Sequence, residues 1–250
     1  ATISSQNNPG GELRGTLVQH SDSADFDGDG NNDFAVFRPS SGTWYSENSQ
    51  GFSAENFGTA SDIPVSADYD GDGRTDKAVF QNVNGNAIWQ IRRSSDGGIT
   101  GLQFGFASDK PVRGDFDGDG LNDIAVYRPS TGVWYWINSG SESVGIRHWG
   151  LDGDIPVAGD FDGDGRNDLA IYRPSSGVWY ISRSSDGNFD IRQFGIGEDI
   201  PVAGMYDGDG VTDIAVFRPS NGVWYIWNSS SNTYQFKQFG LSGDIPTIRQ

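Results

Sequence analysis

The sequence contains no cysteine, one methionine and only two histidines. Without cysteine the chain can form neither a disulfide nor a thiolate ligand, which excludes sulfur chemistry from both catalysis and cross-linking. The histidines, His20 and His148, lie in no metalloprotease or nucleophile motif. Carboxylates are therefore the main source of site chemistry.

Long apolar runs and helical spacing are also missing. No stretch approaches the roughly 18 apolar residues of a membrane span, so we predict none. No segment repeats apolar residues at i, i+3 and i+4, so we expect almost no helix. The chain has 17 basic residues against 34 acidic ones, a net charge of −17, which disfavours binding to nucleic acid phosphates.

Most of the acidity lies in five copies of one loop, D-x-D-G-D-G-x-x-D. The copies begin at Asp25, Asp68, Asp115, Asp160 and Met205, and are 43 to 47 residues apart. Four copies carry four aspartates each, and the fifth carries three because methionine replaces the first. Elsewhere acidic and basic residues nearly balance, so the acidity is local.

The loop has the composition of a calcium site. Carboxylates at positions 1, 3, 5 and 9 can converge on a hard cation, and calcium takes six to eight oxygen ligands. Glycines at positions 4 and 6 permit the tight turn that this needs. One copy alone would fit an acidic surface turn, but five in register favour metal. An EF-hand needs a glutamate at position 12, where these loops have valine or isoleucine.

We therefore predict calcium as the cofactor. The predicted ligands are Asp25, Asp27, Asp29, Asp33, Asp68, Asp70, Asp72, Asp76, Asp115, Asp117, Asp119, Asp123, Asp160, Asp162, Asp164, Asp168, Asp207, Asp209 and Asp213. A thioether is a poor ligand for a hard cation, so the loop at Met205 should be the weakest site or stay empty.

Three further markers keep step with the loops: a Phe-Gly or Trp-Gly pair, an Asp-Ile-Pro-Val segment, and Arg-Pro-Ser-x-Gly-x-Trp-Tyr, which the second unit lacks. One unit, residues 154–195, reads as four short strands separated by the metal loop and two turns. Four antiparallel strands in about 45 residues are typical of a β-propeller blade. The tryptophan that recurs on the third strand is expected to pack between blades.

The predicted fold is all-β: a single β-propeller domain, residues 1–250, of about five four-stranded antiparallel blades. The calcium loop lies between the first and second strand of each blade. The units span approximately residues 12–58, 59–105, 106–150, 151–195 and 196–240, with 241–250 as a closing strand. The alternatives are a fragment of a larger ring, or an oligomer that closes between chains.

These markers resemble FG-GAP (VCBS) repeats, the blades of integrin-α-type propellers, over roughly residues 12–250. The resemblance implies a β-propeller with calcium in the loop that joins the first two strands of a blade. It also implies a role in cell adhesion. Integrin-type rings have seven blades, whereas this chain has five loops.

Three classes of function are open. The first is a binding or adhesion module, including a lectin-like one, whose partner is a glycan or protein on a cell surface or matrix. Its candidate ligand contacts are Trp136, Trp149 and Trp227, which depart from the repeat pattern. The second is a structural or accessory propeller of a larger secreted protein.

The third class, a polysaccharide hydrolase or lyase, is the least favoured. Most aspartates belong to the metal loops, and no unrepeated carboxylate pair stands out, so we predict that the protein is not an enzyme. Extracellular modules bind calcium in roughly the millimolar range. The loops therefore favour an extracellular setting, secreted or at the cell surface.

Overall fold

The computed structural model describes residues 25–29 and 33–242, and nearly all of its regular structure is β-strand. The strands form five separate antiparallel sheets in chain order, in the arrangement of a β-propeller. Within the described residues the only helix is a single 3-10 turn, Pro39–Ser41. That part of the chain holds no helix long and apolar enough to cross a bilayer. The predicted fold class is confirmed.

The first sheet has three strands within the described residues, and the other four sheets have four each. The first two blades contain β1 Phe34–Arg38, β2 Thr43–Asn48 and β3 Gly51–Asn56, then β4 Ile63–Pro64, β5 Lys77–Val83, β6 Asn86–Arg92 and β7 Ile99–Phe106. The third blade contains β8 Lys110–Val112, β9 Ile124–Arg128, β10 Val133–Ile137 and β11 Val144–His148. The last two contain β12 Ile155–Gly159, β13 Asp168–Arg173, β14 Val178–Ser182 and β15 Phe189–Gln193, then β16 Ile200–Pro201, β17 Ile214–Arg218, β18 Val223–Trp227 and β19 Tyr234–Gln238.

Each sheet pairs neighbours in sequence, as β12-β13-β14-β15 illustrates. The first strand of the sheet carries a proline opposite a β-branched residue of the second strand; Pro156, for example, lies opposite Ile171. Proline is tolerated there because an edge strand leaves one row of backbone donors unpaired. From residue 243 onward, the predicted closing strand lies outside the described residues.

The core lies between blades. In the cluster that joins the third blade to the fourth, Trp134 and Tyr127 of one sheet pack against Leu169 and Ile171 of the next. The same arrangement recurs at the other described junctions. Four of the recurring tryptophans, Trp44, Trp89, Trp134 and Trp179, therefore pack between blades as predicted, whereas Trp224 packs against its own blade within the described residues. All five donate the indole N–H to the carbonyl of the residue before the marker glycine.

The Arg-Pro-Ser-x-Gly turn and the Phe-Gly marker recur at a constant spacing because they contact each other. Gly177, in the Arg-Pro-Ser-x-Gly turn, has φ +65°, and a Cβ there would lie 2.2 Å from the carbonyl oxygen of Gly195 in the Phe-Gly marker. The Phe194 N–H also donates to the Gly177 carbonyl at 3.0 Å. A side chain at residue 177 would force this turn away from the marker, which explains the recurrent glycine.

Candidate metal centre

The metal loop joins the first strand of a blade to the second, as the sequence predicts. In the fourth blade it runs from Asp160 to Asp168, between β12 and β13. Gly163 and Gly165 have φ values of +78° and +89°. Their N–H groups donate to the two carboxylate oxygens of Asp160 at 2.6 and 2.8 Å. The first aspartate thus organises the loop backbone as well as facing the site.

Carboxylates converge in the first four loops. In each, three aspartates offer oxygen atoms that all lie within 4.8 Å of one another. The groups are Asp25, Asp27 and Asp29; Asp68, Asp70 and Asp76; Asp115, Asp117 and Asp123; and Asp160, Asp162 and Asp168. Positions 1, 3 and 9 meet in three loops, whereas the first loop brings together positions 1, 3 and 5.

The remaining predicted ligands stand slightly apart. Asp164, at position 5, accepts hydrogen bonds from the Ser184 hydroxyl at 2.9 Å and from the Arg166 N–H at 2.9 Å. The carboxylate of Asp119 likewise accepts from the Ser139 hydroxyl at 3.0 Å. Asp33, at position 9 of the first loop, receives the Phe26 N–H at 2.7 Å. These residues stay predicted ligands, adjacent to the groups that converge.

Burial of the ninth position sets the electrostatics of the site. Asp168 is fully buried, and its two carboxylate oxygens accept the N–H groups of Ser184 and Phe161 at 2.7 and 2.9 Å. Burial nevertheless raises the pKa of Asp168 to about 7 and that of Asp123 to about 6. A carboxylate held in this environment beside two others lacks a compensating positive charge.

The donor set fits calcium. Every side chain that converges is a carboxylate, a hard oxygen ligand of the kind that calcium and magnesium select. In the fourth loop Asp162 Oδ1 is buried without a hydrogen-bond partner, so it is free to face a cation. Calcium tolerates irregular geometry and completes its shell with water, whereas magnesium requires a near-octahedral one. A bound calcium ion would neutralise the buried charge and join the two ends of the loop.

Serines outside the predicted ligand set also reach the site. In the fourth blade, Ser184 and Ser185 lie in the turn between the third and fourth strands. Their hydroxyls donate to Asp164 at 2.9 Å and to Asp162 at 2.6 Å. The equivalent serines of the second and fifth blades make the same contacts, and Ser139 of the third blade also donates to position 5, whereas Ser49 of the first blade donates to Asp27 at position 3. The Ser-Ser pair of the second, fourth and fifth blades, two residues past the third strand, was the signal that could have revealed them.

The fifth loop differs from the rest. Met205 is 47% exposed, and within the described residues Asp207, Asp209 and Asp213 do not form a converging group of three. A hydrogen bond from the Ser230 hydroxyl, at 2.7 Å, helps to lower the pKa of Asp207. Without a carboxylate at position 1, the loop has no acceptor like Asp160 to hold its glycine N–H groups. This geometry supports the prediction that the fifth site is the weakest.

Adjacent metal loops are hydrogen-bonded to each other across the blade junctions. The N–H at position 8 of one loop donates to the carbonyl at position 1 of the preceding loop, for example from Thr212 to Asp160 at 2.7 Å. Three more bonds of this kind, at 2.6 to 2.9 Å, join the other described neighbours. Order in one loop is therefore transmitted to the next through the backbone.

The opposite end of each blade carries a second recurrent contact. Arg173, in the Arg-Pro-Ser marker, donates from Nε and Nη2 to the two oxygens of Asp154, both at 2.8 Å. The guanidinium also lies 4.5 Å from the ring centre of Tyr180. The third and fifth blades repeat this bidentate pair. In the second blade Gln81 takes the arginine's place and donates to Asp62 at 2.6 Å.

Two of the tryptophans predicted to contact a ligand lie at the junction of the third and fourth blades. Trp136 and Trp149 are half-buried and pack against its core cluster. Trp149 donates its indole N–H to the Tyr180 carbonyl at 3.2 Å, and its ring lies 6.0 Å from that of Phe189. Both side chains are thus engaged in packing while staying partly exposed.

The third, Trp227, lies at the next junction. Its ring packs edge-on against Phe194 and Tyr234, and the guanidinium of Arg192 lies 3.8 Å from its ring centre. The three tryptophans therefore do not share one pocket. Their role as ligand contacts stays a prediction.

Comparisons with known proteins agree with this geometry. The family model described as an FG-GAP-like repeat matches residues 25–79 and 115–171. A search of curated proteins found no match.

Among solved structures, a catalytically inactive virginiamycin B lyase from Staphylococcus aureus, crystallised with quinupristin, is similar. It has a TM-score of 0.55 and 8% identity, with 83% of this chain and 67% of that chain covered. The structure of BBS1N in complex with ARL6DN gives a TM-score of 0.48 at 14% identity, covering 83% and 65%. A functionally unknown protein from Desulfotomaculum acetoxidans gives 0.49 at 13%, covering 81% and 64%.

The aligned part of this chain thus spans about two thirds of the length of those structures. At such low identity the likeness shows the fold alone. The sequence markers and the sheet arrangement lead to the same assignment as the family model. Residues 25–79 and 115–171 match the FG-GAP-like repeat model, and the described residues fold as a five-bladed β-propeller.

Proposed function

We propose that the protein is a calcium-binding extracellular β-propeller that acts as a non-catalytic binding or adhesion module. The observation that carries this proposal is the recurrence of three converging aspartates in four successive loops. Such a set has a clear physical use only if a cation neutralises it.

The extracellular setting follows from the type of site. The loops are short and partly open to water. In three of them the aspartate at position 5 accepts a hydrogen bond from a serine hydroxyl and is not a member of the converging group. Open sites of this kind are expected to bind calcium weakly, near the 0.1–1 mM range of extracellular modules. They would then be filled only where calcium is about millimolar.

The ligand we favour is a glycan on a cell surface or matrix. Sugar binding needs an exposed aromatic face with polar groups beside it. Trp149 and Trp227 are partly exposed and would supply the aromatic surface, and Arg192 beside Trp227 would supply donors. The repeated Arg-Pro-Ser arginines are poor candidates, because those of the third to fifth blades already bind an aspartate of their own blade.

A structural or accessory role is the second candidate. The observation that favours it is that Trp136, Trp149 and Trp227 all take part in packing between or within blades. In that case the propeller would serve as a rigid spacer in a larger secreted protein. The lyase among the similar structures does not argue for catalysis, because its likeness is one of fold.

The test is calcium titration by calorimetry, followed by a glycan array with the calcium-loaded protein. We expect four ions per chain, and three for Asp168→Asn, because that change removes a fully buried ligand. The matched control is Asp186→Asn, an aspartate outside the loops, which should still bind four. The absence of calcium binding by the unmodified protein would overturn the metal assignment. Calcium binding without a glycan hit would favour the accessory role.

A further inference from the structure

The third blade departs from the repeat at two residues that lie opposite each other, Trp136 of β10 and Gly145 of β11. In the other blades, serine or isoleucine occupies the first of these positions, and a polar side chain occupies the second. The equivalent pairs are Ser46 and Ser53, Ile91 and Thr100, Ile181 and Asp190, and Ile226 and Gln235. A Cβ at Gly145 would lie 2.0 Å from Cε2 of Trp136. The glycine therefore makes room for the indole ring, which lies across the outer strand.

An arginine and a second tryptophan follow on the same side of that strand. Side chains two residues apart on a strand share a face and are about 7 Å apart. The Trp149 N–H donates to the Gly132 carbonyl at 2.8 Å, so the pairing of the two strands extends that far. Gly145, Arg147 and Trp149 thus follow one another on the face that Trp136 covers. We call Trp136, Arg147 and Trp149 the outer row: an indole, a guanidinium and an indole.

Both rings of the outer row are held in place by packing and still reach solvent. The ring centre of Trp136 lies 5.5 Å from that of Phe116, and Trp149 donates its indole N–H to the Tyr180 carbonyl at 3.2 Å. Both tryptophans are half-buried. The other four blades have phenylalanine at the position of Trp149, so only the third blade places tryptophan on both sides of a basic residue.

The charge of Arg147 is not compensated within the part of the chain that the structure describes. Its side chain is exposed and makes no hydrogen bond or ion pair there. The chain has 34 acidic residues and only 17 basic ones, and most of the described basic side chains are paired with a carboxylate. Those are Lys77, Arg92, Arg93, Arg128, Arg166, Arg173, Arg183 and Arg218. Arg147 is therefore available to an anion from outside the chain.

The equivalent positions of the other blades offer no such combination. Glu55 of the first blade is bonded to two basic side chains of the second blade, and Leu102 of the second blade is apolar. The guanidinium of Arg192 in the fourth blade already lies 3.8 Å from the ring centre of Trp227. Lys237 of the fifth blade lies beside an isoleucine at the position of Trp136. A free cation between two indoles is thus specific to the third blade.

Polar groups continue the same face beyond Trp136. The Asn138 N–H donates to the Ser143 carbonyl at 2.9 Å, and the Asn138 side-chain amide donates to the Ser143 hydroxyl at the same distance. This pair lies next to Trp136 and Gly145 in the register of the two strands. An amide and a hydroxyl at the end of an aromatic surface suit a ligand that carries hydroxyl groups.

We propose that the outer row binds a glycan through an anionic sugar, either a uronate or a sulfated one. This inference rests on the proposed glycan-binding function and adds the charge of the ligand. The indoles take the apolar faces of the sugar rings, and Arg147 donates charge-assisted hydrogen bonds to the carboxylate or sulfate oxygens. Two ring surfaces in line with a single cation suit stacked sugars better than an acidic peptide, whose successive charges would need several cations.

Calorimetry on the calcium-loaded protein with short oligomers of galacturonate tests this proposal. The methyl ester of the same oligomer is the matched ligand, because it keeps the sugars and removes the charge. We expect the acid to bind at least about tenfold more tightly than the ester, the effect of one charge-assisted hydrogen bond. A sulfated galactose oligomer, measured alongside, shows which of the two anions the outer row prefers.

Two variants assign the binding to the outer row. Arg147→Gln should reduce the affinity for the acid to that for the ester and leave the ester unchanged. Arg93→Gln is the matched control: it removes the same charge from an arginine paired with Asp96 in the second blade, and should change neither affinity. Trp136→Ile introduces the residue that three other blades have at this position, so the fold should tolerate it. It should weaken binding of acid and ester alike, because it removes aromatic surface.

Four results would overturn the proposal. Equal affinities for acid and ester would exclude an anionic ligand but leave the glycan-binding function intact. Acid binding that is unchanged in Arg147→Gln would place the anion elsewhere, such as at the calcium loops. Polyglutamate that binds as tightly as the galacturonate oligomer, with the same dependence on Arg147, would favour an acidic peptide. Failure of every sugar to bind, in calorimetry and on the glycan array, would overturn the glycan-binding function as well.

Discussion

The ninth residue of the second to fifth loops lies at the most buried point of its loop. Asp76, Asp123, Asp168 and Asp213 are all fully buried. Each accepts backbone N–H groups from its own loop and from the turn that follows the third strand. This one carboxylate therefore connects the loop to the outer part of its blade.

The protonation of these buried aspartates predicts an unusual pH dependence for the metal-free protein. Burial raises the pKa of Asp168 to about 7 and of Asp123 to about 6, above the ordinary value of 3.8. The folded state thus holds protons that the unfolded state releases, so stability should fall as the pH rises from about 4 to 7. Calcium binds the deprotonated form and should reverse the trend.

Thermal melts at pH 5 and pH 8, with chelator and with 2 mM calcium, provide the measurement. We expect Tm to fall with pH in chelator and to stay level or rise in calcium. A Tm that rises with pH in chelator would show that the buried aspartates are not protonated in the fold.

At the fifth loop, one substitution should create a better site. Met205→Asp restores the position-1 carboxylate that holds the glycine N–H groups in the fourth loop. We expect one additional calcium ion per chain by calorimetry, and about 1–2 kcal/mol of added stability at millimolar calcium. Met205→Leu is the matched control and should change neither. An unchanged stoichiometry in Met205→Asp would show that the loop backbone, and not the missing ligand, limits binding.

In the third to fifth blades, the aspartate loop connects the first two strands at one end and an Arg–Asp ion pair connects them at the other. The Arg173–Asp154 pair joins the second strand to the start of the first. Asp154 is 1% exposed, so removal of its partner leaves a buried charge.

Replacement of that arginine should therefore be costly. We expect Arg173→Ala to lower the free energy of unfolding by about 3 kcal/mol. Arg173→Gln should cost less, because Gln81 makes the equivalent bond in the second blade. Arg183→Ala, which removes an exposed pair with Asp186, is the control and should cost at most about 1 kcal/mol. Chemical denaturation measures all three, and equal costs for the two Arg173 variants would contradict this account.

Across the whole molecule, the backbone bonds between successive metal loops link the local sites into one chain of contacts. Calcium at any of the first four loops should therefore stabilise the junctions on either side of it. The propeller buries its core between blades, so loss of order at the loops would loosen the core as well.

Removal of calcium should lower the melting temperature strongly. With a site constant near 0.1 mM and about 1 mM calcium, each site adds about 1.4 kcal/mol, so four sites add roughly 6 kcal/mol. That is comparable to the whole stability of an ordinary domain. We expect a decrease in Tm of at least about 10 °C in chelator, measured by circular dichroism or calorimetry. Magnesium at the same concentration, as the control cation, should restore little of it. Identical melting curves with and without chelator would refute a structural role for the metal.

Much of the fold could be predicted from the sequence, because recurring markers show where each repeated unit begins and ends. The apolar runs such as Leu169–Tyr172, the Pro and Gly turn residues and the spacing of the loops determine strands and turns locally. The loop aspartates could be identified from the sequence as well, because their chemistry depends on the order of residues within a nine-residue loop. The serines at 184 and 185 were missed because they are brought to the loop only by strand pairing, about 20 residues along the chain.

The sequence by itself determined the all-β class, the blade unit and the position of the aspartate loop, and it predicts that the loop at Met205 is the weakest calcium site. Each of these depends on local order and on residue chemistry. Only the tertiary structure decided that Arg173 binds Asp154, that Trp227 packs at a different blade junction from Trp136 and Trp149, and that the end blades expose Val36 and Phe239. Those features arise from strand pairing and from contacts between blades, which no local pattern encodes.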